Sequence, residues 1–276
     1  MRPPLRPAAP TRVAAAPAWP SFTGSAQQVG TSSNGVTVYV DPTLGNPAAQ
    51  NARDLLAAAD RVVGQNNTIF AITGGAVDVI VFALNGQTDG TGGADHDGCD
   101  FQTGGAIEVD ASYGNSARVI ALFEAELSEC AMNGRLCGYS TGEALSRWCA
   151  AVVGFNALSD FATAPHWYQD GMPDWVNRTE HTDQDPDSTG CGMAFLSWLM
   201  SQGHRVSQVA QAMVALGDDG TLAQLYERVT RGAAGGAWAK FSSAVEALPR
   251  GVTSDDPFGA LSGAGVLPAV GGQLKG

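Results

Sequence analysis

The sequence predicts an α+β fold: a small mixed sheet with N-terminal helices, followed by an all-helical C-terminal half. Short apolar or alternating runs that read as strands all lie before residue 111, and runs with helical spacing dominate after it. Strands segregated from helices along a chain point to α+β rather than alternating α/β organisation. Hydrophobic residues make up 44% of the 276 and charged ones 15%, enough apolar surface for one sizeable core.

The elements follow in order. Residues 1–34 are Pro-, Ala- and polar-rich and read as a disordered leader. Prolines interrupt MRPPLRPAAPTRVAAAPAWPSF, so it lacks the apolar run of a signal peptide. GVTVYVD (35–41) alternates and reads as the first strand. Residues 47–65 carry Ala, Leu and Val at helical spacing. VDVIVFAL (77–84) is apolar enough for a central strand. Residues 85–105 form a long Gly/Asp-rich loop, and AIEVD (106–110) is a short strand expected at an edge. Asn115 can cap a helix running to about Met132, and a second helix starts near Ser140. A loop rich in aromatics and acids runs through residue 188. Four apolar helical segments follow, CGMAFLSWLMSQ, VSQVAQAMVAL, TLAQLYERVT and AWAKFSSAVEAL. One domain is expected over 35–250, with an irregular Gly/Pro-rich tail over 251–276. No uninterrupted apolar stretch is long enough to span a membrane.

A net charge of −12 disfavours nucleic acid and anionic membrane as partners, and leaves cations compatible. The five cysteines form no CxxC pair, so a zinc ribbon is excluded. Cys130 and Cys137 bracket AMNGRL and can bridge it; Cys99 and Cys191 lie in Gly-rich loops, and Cys149 reads as a buried thiol. A secreted or cell-envelope location with a disulfide is the expectation.

The helix VIALFEAELSECAM (119–132) holds the most informative residues. With about 100° per residue, Val119, Leu122, Phe123, Leu127 and Cys130 share one arc. Glu126 falls inside that arc, Glu129 on its border and Glu124 outside it. A carboxylate in a dry core must pair, bind a cation or stay protonated. Glu126 and Glu129, one turn apart, can therefore floor a cleft. Glu143 is a third acid on the next helix; Ser140-Thr141-Gly142-Glu143 also matches a capping box. Arg147, at i+4 from Glu143, is the candidate partner for Glu143 or Glu126. In the loops, His96 stands among Asp95, Asp97 and Asp100 and can act as ligand or base. Asp183, Asp185 and Asp187 have an alternating spacing that suits calcium, without the glycine and distal glutamate of an EF-hand. Trp167, Tyr168 and Trp175 are candidates to line a peptide or glycan groove. No G-x-S-x-G, P-loop or G-x-G-x-x-G site occurs.

The order of elements resembles the zincin metallopeptidases, and the plant basic secretory proteins with their bacterial relatives. GGADHDGCDF, LFEAELSE, STGEALSR and DSTGCGMAFLSWL are also similar to motifs of a bacterial protein group that lends no activity. The resemblance spans about residues 35–250 and is one of layout. It departs at the H-E-x-x-H motif, which holds zinc with two histidines around a glutamate base. Here the stretch is Ala125-Glu126-Leu127-Ser128-Glu129, and no His-x-x-x-His occurs anywhere. The resemblance implies Glu126 at the base position and Glu143 in the place of a gluzincin's third ligand.

Together these observations point to a hydrolase-like protein with an acidic cleft on a degenerate zincin scaffold, its substrate a peptide or glycan. The candidate catalytic residues are Glu126, Glu129, Glu143 and His96; the candidate substrate-binding ones are Arg147, Trp167, Tyr168 and Trp175. A divalent cation, calcium or zinc, is the candidate cofactor. It would be held by Glu126, Glu129 and Glu143, or separately by Asp183, Asp185 and Asp187. The alternative is a non-catalytic glycan- or peptide-binding protein whose buried glutamates are structural.

Overall fold

The computed structural model describes residues 17–86, 88–103 and 105–262. Five strands form one mixed sheet: β1 (Gln27–Thr31), β2 (Thr37–Val40), β3 (Asp78–Phe82), β4 (Ala94–His96) and β5 (Ala106–Asp110). Their order is β1-β2-β3-β5-β4. β2, β3 and β5 run parallel, while β1 and β4 pair antiparallel at the two edges. Among the described residues, the α-helices are α1 (Gly45–Phe70), α2 (Ser116–Ala131), α3 (Ser140–Val153), α4 (Ala164–Gln169), α5 (Pro186–Ser201), α6 (Val206–Leu216), α7 (Leu222–Thr230) and α8 (Ala237–Glu246). The architecture is α+β, strands first and helices last.

Alternation in the strands divides the apolar residues between two faces. Val38, Val40, Val79, Val81, Ile107 and Val109 belong to the main core with the helices. Tyr39, Ile80, Phe82 and Leu84 form a separate small cluster on the other face, covered by Trp19, Phe22 and Ala26. Trp19 meets Tyr39 edge-on at 5.3 Å between ring centroids, and Phe22 meets Phe82 at 5.2 Å. The buried Glu108 carboxylate accepts from Ser21 N–H (3.0 Å), Ser21 Oγ (2.5 Å) and Phe22 N–H (2.7 Å). Part of the leader expected to be disordered is therefore ordered on the sheet: Trp19, Phe22 and Ala26 pack on its face and Gln27–Thr31 pairs at its edge. Residues 1–16 and 263–276, covering the rest of the leader and most of the tail, lie outside the described residues.

Two further expectations are corrected. AIEVD is an interior strand, because Ala94–His96 pairs against its outer side. The disulfide joins Cys99 to Cys137, not Cys130 to Cys137. Cys130 and Cys149 are buried in helices, and Cys191 is buried within α5 rather than in a loop. Among the described residues, no helix is long and apolar enough to cross a membrane.

Candidate functional site

The site lies where the β4 edge of the sheet meets α2 and α3. Asn115 caps α2 by accepting the Arg118 N–H at 3.1 Å. From that start the helix aims Glu126 and Glu129 at the same neighbour, His96 of β4. His96 Nε2 lies 3.0 Å from Glu129 Oε2 and 3.7 Å from Glu126 Oε2. One ligand atom from each of these three residues lies within 4.8 Å of the others.

Glu143 joins from the first turn of α3. The capping box does not form: Tyr139 is the N-cap with no side-chain bond, and Ser140 Oγ pairs with Ser188 Oγ at 2.5 Å. The Glu143 side chain is thereby left to the cleft, where it hydrogen-bonds with Glu129. A cavity of about 350 Å³ is lined by His96, Glu126, Glu129 and Glu143, with Asp95 and Asp183 also on its wall. A second chamber of about 200 Å³ shares Glu126 and Glu143 with it and is walled by Leu122, Leu158, Phe161 and Arg147.

The electrostatics follow from crowding acids in partial burial. Burial raises the Glu126 pKa well above the usual carboxylate range, and the Glu129 and Glu143 charges push it further. Glu143 is pushed up to about 7 by burial and by Glu129, with Arg147 acting against the shift. For His96, burial opposes the charge, but the Glu129 hydrogen bond and charge outweigh it, with help from the Gly98 backbone and Asp95. The net shift is upward. The shifts thus favour the protonated carboxyls of Glu126 and Glu143 and the charged imidazole of His96.

Arg147 does not neutralise Glu126. Its guanidinium bonds the Phe161 carbonyl, sits 3.4 Å from Asp255, and reaches Glu143 only at 3.9 Å. The three loop aspartates separate. Asp183 lines the cavity, Asp185 caps α5 through the N–H groups of Asp187 and Ser188, and Asp187 holds His166 at 2.9 Å. They cannot share one calcium. His166, Asp170 and Asp187 do bring ligand atoms together, but on an exposed surface. Trp167 is fully buried and stacked on Phe241, so it is a core residue and not part of a groove. Tyr168 packs over Gly251, and Trp175 lies under the Arg178 guanidinium at 3.8 Å. None of the three aromatics lines either chamber.

Sequence reasoning missed Arg118. It is buried, forks onto Asp160 at 2.7 and 2.8 Å, and donates to the Gly92 carbonyl at 2.9 Å. Its guanidinium also lies 4.3 Å from the Phe161 ring centre. One side chain thus holds both the entry to the strand bearing His96 and the ring that walls the second chamber. Its partner Asp160 is 42 residues away in sequence, beyond any local signal. No family model, no curated protein and no solved structure matches the chain.

Proposed function

We propose that the cleft is the active site of a cation-dependent hydrolase acting on peptides, on a scaffold with zincin-like layout and a His/Glu/Glu ligand set. The observation that carries this is the convergence of His96 Nε2 with the Glu126 and Glu129 carboxylates inside an open cavity. One imidazole and two carboxylates form a nitrogen–oxygen set that suits zinc or manganese better than calcium, which prefers oxygen alone. The crowding of acids also fits, because a cation offsets the repulsion between neighbouring carboxylates. A divalent cation bound there would polarise a carbonyl oxygen and acidify a water.

Glu143 is the residue suited to move a proton. Poised at about 7, its carboxyl can accept a proton from water and return it to a leaving amine. Arg147 on one side and Glu129 on the other hold that value between ionised and neutral. Two observations favour a peptide over a glycan. The outer edge of β4 carries no strand partner among the described residues, so an extended chain can add to it beside His96. The second chamber offers Leu122, Leu158 and Phe161 to an apolar side chain, whereas the tryptophans that would stack on sugar rings are elsewhere. The disulfide supports an oxidising compartment, secreted or in the cell envelope.

The test is elemental analysis of the purified protein, with thermal melts against Zn²⁺, Mn²⁺, Ca²⁺ and EDTA, and digestion of a mixed peptide library. The expected result is one zinc or manganese per chain, a melting point lowered by EDTA, and cleavage lost in Glu143→Gln. A chain that retains no cation, melts the same in EDTA and cleaves nothing would sink the reading.

A further inference from the structure

We propose that the Cys99–Cys137 disulfide is a redox control on the cleft, holding the His96 segment in place and releasing it when a dithiol reduces the bridge. The proposal rests on the cation-site reading for its functional consequence. Both cysteines line the same cavity as His96, Glu126, Glu129 and Glu143. Cys99 lies three residues after His96, and Cys137 lies between α2 and α3, six residues before Glu143.

The two sides of the bridge are anchored very differently. On the Cys137 side, Leu136 is buried and its N–H donates to Asp218 at 2.7 Å. Gly142 on α3 lies so close beneath the Leu136 carbonyl that a Cβ there would collide with it. That corner stands without the disulfide. On the Cys99 side, β4 has three residues and pairs only with β5. Past His96, the Asp97 N–H reaches the Ala106 carbonyl at 3.2 Å, and among the described residues Asp100 bonds within its own turn, to Gln102 and Thr103. Among the described residues, 97–103 are tied to the rest of the fold by that Asp97 bond, by Phe101, which packs against the main core beside Gly74, by one hydrogen bond from Gly134 N–H to the Cys99 carbonyl at 2.7 Å, and by the bridge itself.

Both sulfurs belong to half-buried residues on a cavity wall, within reach of a small thiol. A dithiol's thiolate attacks one sulfur and forms a mixed disulfide. Its second thiolate then closes the reductant into a cyclic disulfide. Two electrons and two protons end on Cys99 and Cys137 as thiols. With the bridge open, the segment after His96 keeps one hydrogen bond to the α2–α3 corner, and His96 loses its fixed distance to Glu126 and Glu129.

The test has two arms. Hydrogen exchange over residues 94–103 compares oxidised protein, protein reduced with dithiothreitol, and Cys99→Ala/Cys137→Ala. Zn²⁺ and Mn²⁺ titrations compare oxidised wild type with the double alanine variant, avoiding thiols that would bind the metal themselves. The expected result is exchange at least ~10-fold faster over 94–103, with β2, β3 and α5 still protected. Cation affinity falls ~10–100-fold, the usual effect of losing a ligand's support. Unchanged exchange over 94–103 overturns the proposal, as does wild-type affinity in the double variant or loss of protection throughout the core. Faster local exchange in a protein that binds no cation in either form would support the tether and reject the cation reading instead.

Discussion

Glu124 and Glu126 are two residues apart on α2 and face opposite neighbourhoods. Glu126 opens onto the cleft beside His96, Glu129 and Glu143, and burial with the neighbouring acids raises its pKa. Glu124 is fully buried on the other side, and neither of its carboxylate oxygens has a hydrogen-bond partner among the described residues. Burial raises its pKa well above the ordinary range, with only the Arg61 charge acting against the shift. The helical arc places Glu126 in the driest position and Glu124 outside; the structure reverses that. α2 packs against α1 and α3 as well as the sheet, so the side that carries Glu124 is covered too. Periodicity locates the larger apolar arc and says nothing about what covers the smaller one. The pair separates two settings of a buried acid: one belongs to a constellation, and the other is enclosed apart from it.

Substitutions that treat the two acids oppositely would sharpen this contrast. The largest effect is expected on the cleft side. Glu143→Gln should lower kcat/KM by ~10²–10⁴-fold while the protein keeps its cation, seen by steady-state cleavage and metal analysis. Retained activity would remove Glu143 from the chemistry. Next comes Glu124→Met, which should stabilise the fold by ~1–3 kcal/mol, because it removes an unpartnered buried acid without opening a cavity. Urea unfolding measures this, and cleavage should be unaltered. A destabilised variant would overturn the reading of Glu124 as an uncompensated buried acid.

The pH dependence of stability separates the two faces further. Glu124, Glu126 and Glu143 have folded pKa values raised above their unfolded value of 4.5, so each contributes most below that value. Cation-free protein should therefore lose stability as pH climbs from about 4.5 through about 7, where Glu143 ionises. His96 acts in the same direction: its contribution is complete below 6.5 and is lost as pH rises through its raised value. Saturating Zn²⁺ should flatten the cleft's share of that slope and leave the Glu124 share, which only Glu124→Met removes. Melting points measured across pH in both proteins test this. The most local effect is expected from Gly92→Ala, whose Cβ would lie 2.6 Å from the Asp110 carboxylate. It should cost ~1–3 kcal/mol and loosen β4, read by exchange at residues 94–96.

Much of the fold was legible because its periods are strong. β2, β3 and α2 answer to alternation, apolar runs and an Asn cap in the expected places. β1 and β4 were not legible. Gln27–Thr31 is polar and mostly exposed, and Ala94–His96 is three residues inside a Gly/Asp loop. Both exist because a neighbouring strand pairs with them, which is information held elsewhere in the chain. The site follows the same rule. Glu126 and Glu129 were readable as neighbours one turn apart, while the meeting of His96 with them depends on β4. The dispersal of Asp183, Asp185 and Asp187 depends on a cap and on a histidine from another helix. The disulfide spans 38 residues, so no local spacing betrays it.

The stretch from Trp19 to Ala26 has a practical consequence for anyone cutting this chain. It caps the Glu108 carboxylate and shields Tyr39, Ile80 and Phe82 from water. Trimming to residue 35, where the strand pattern begins, would uncover an aromatic strip and strand a buried carboxylate at the same stroke. Such a truncation invites precipitation from a face unrelated to the cleft. Any soluble minimal version of this protein has to start ahead of Trp19.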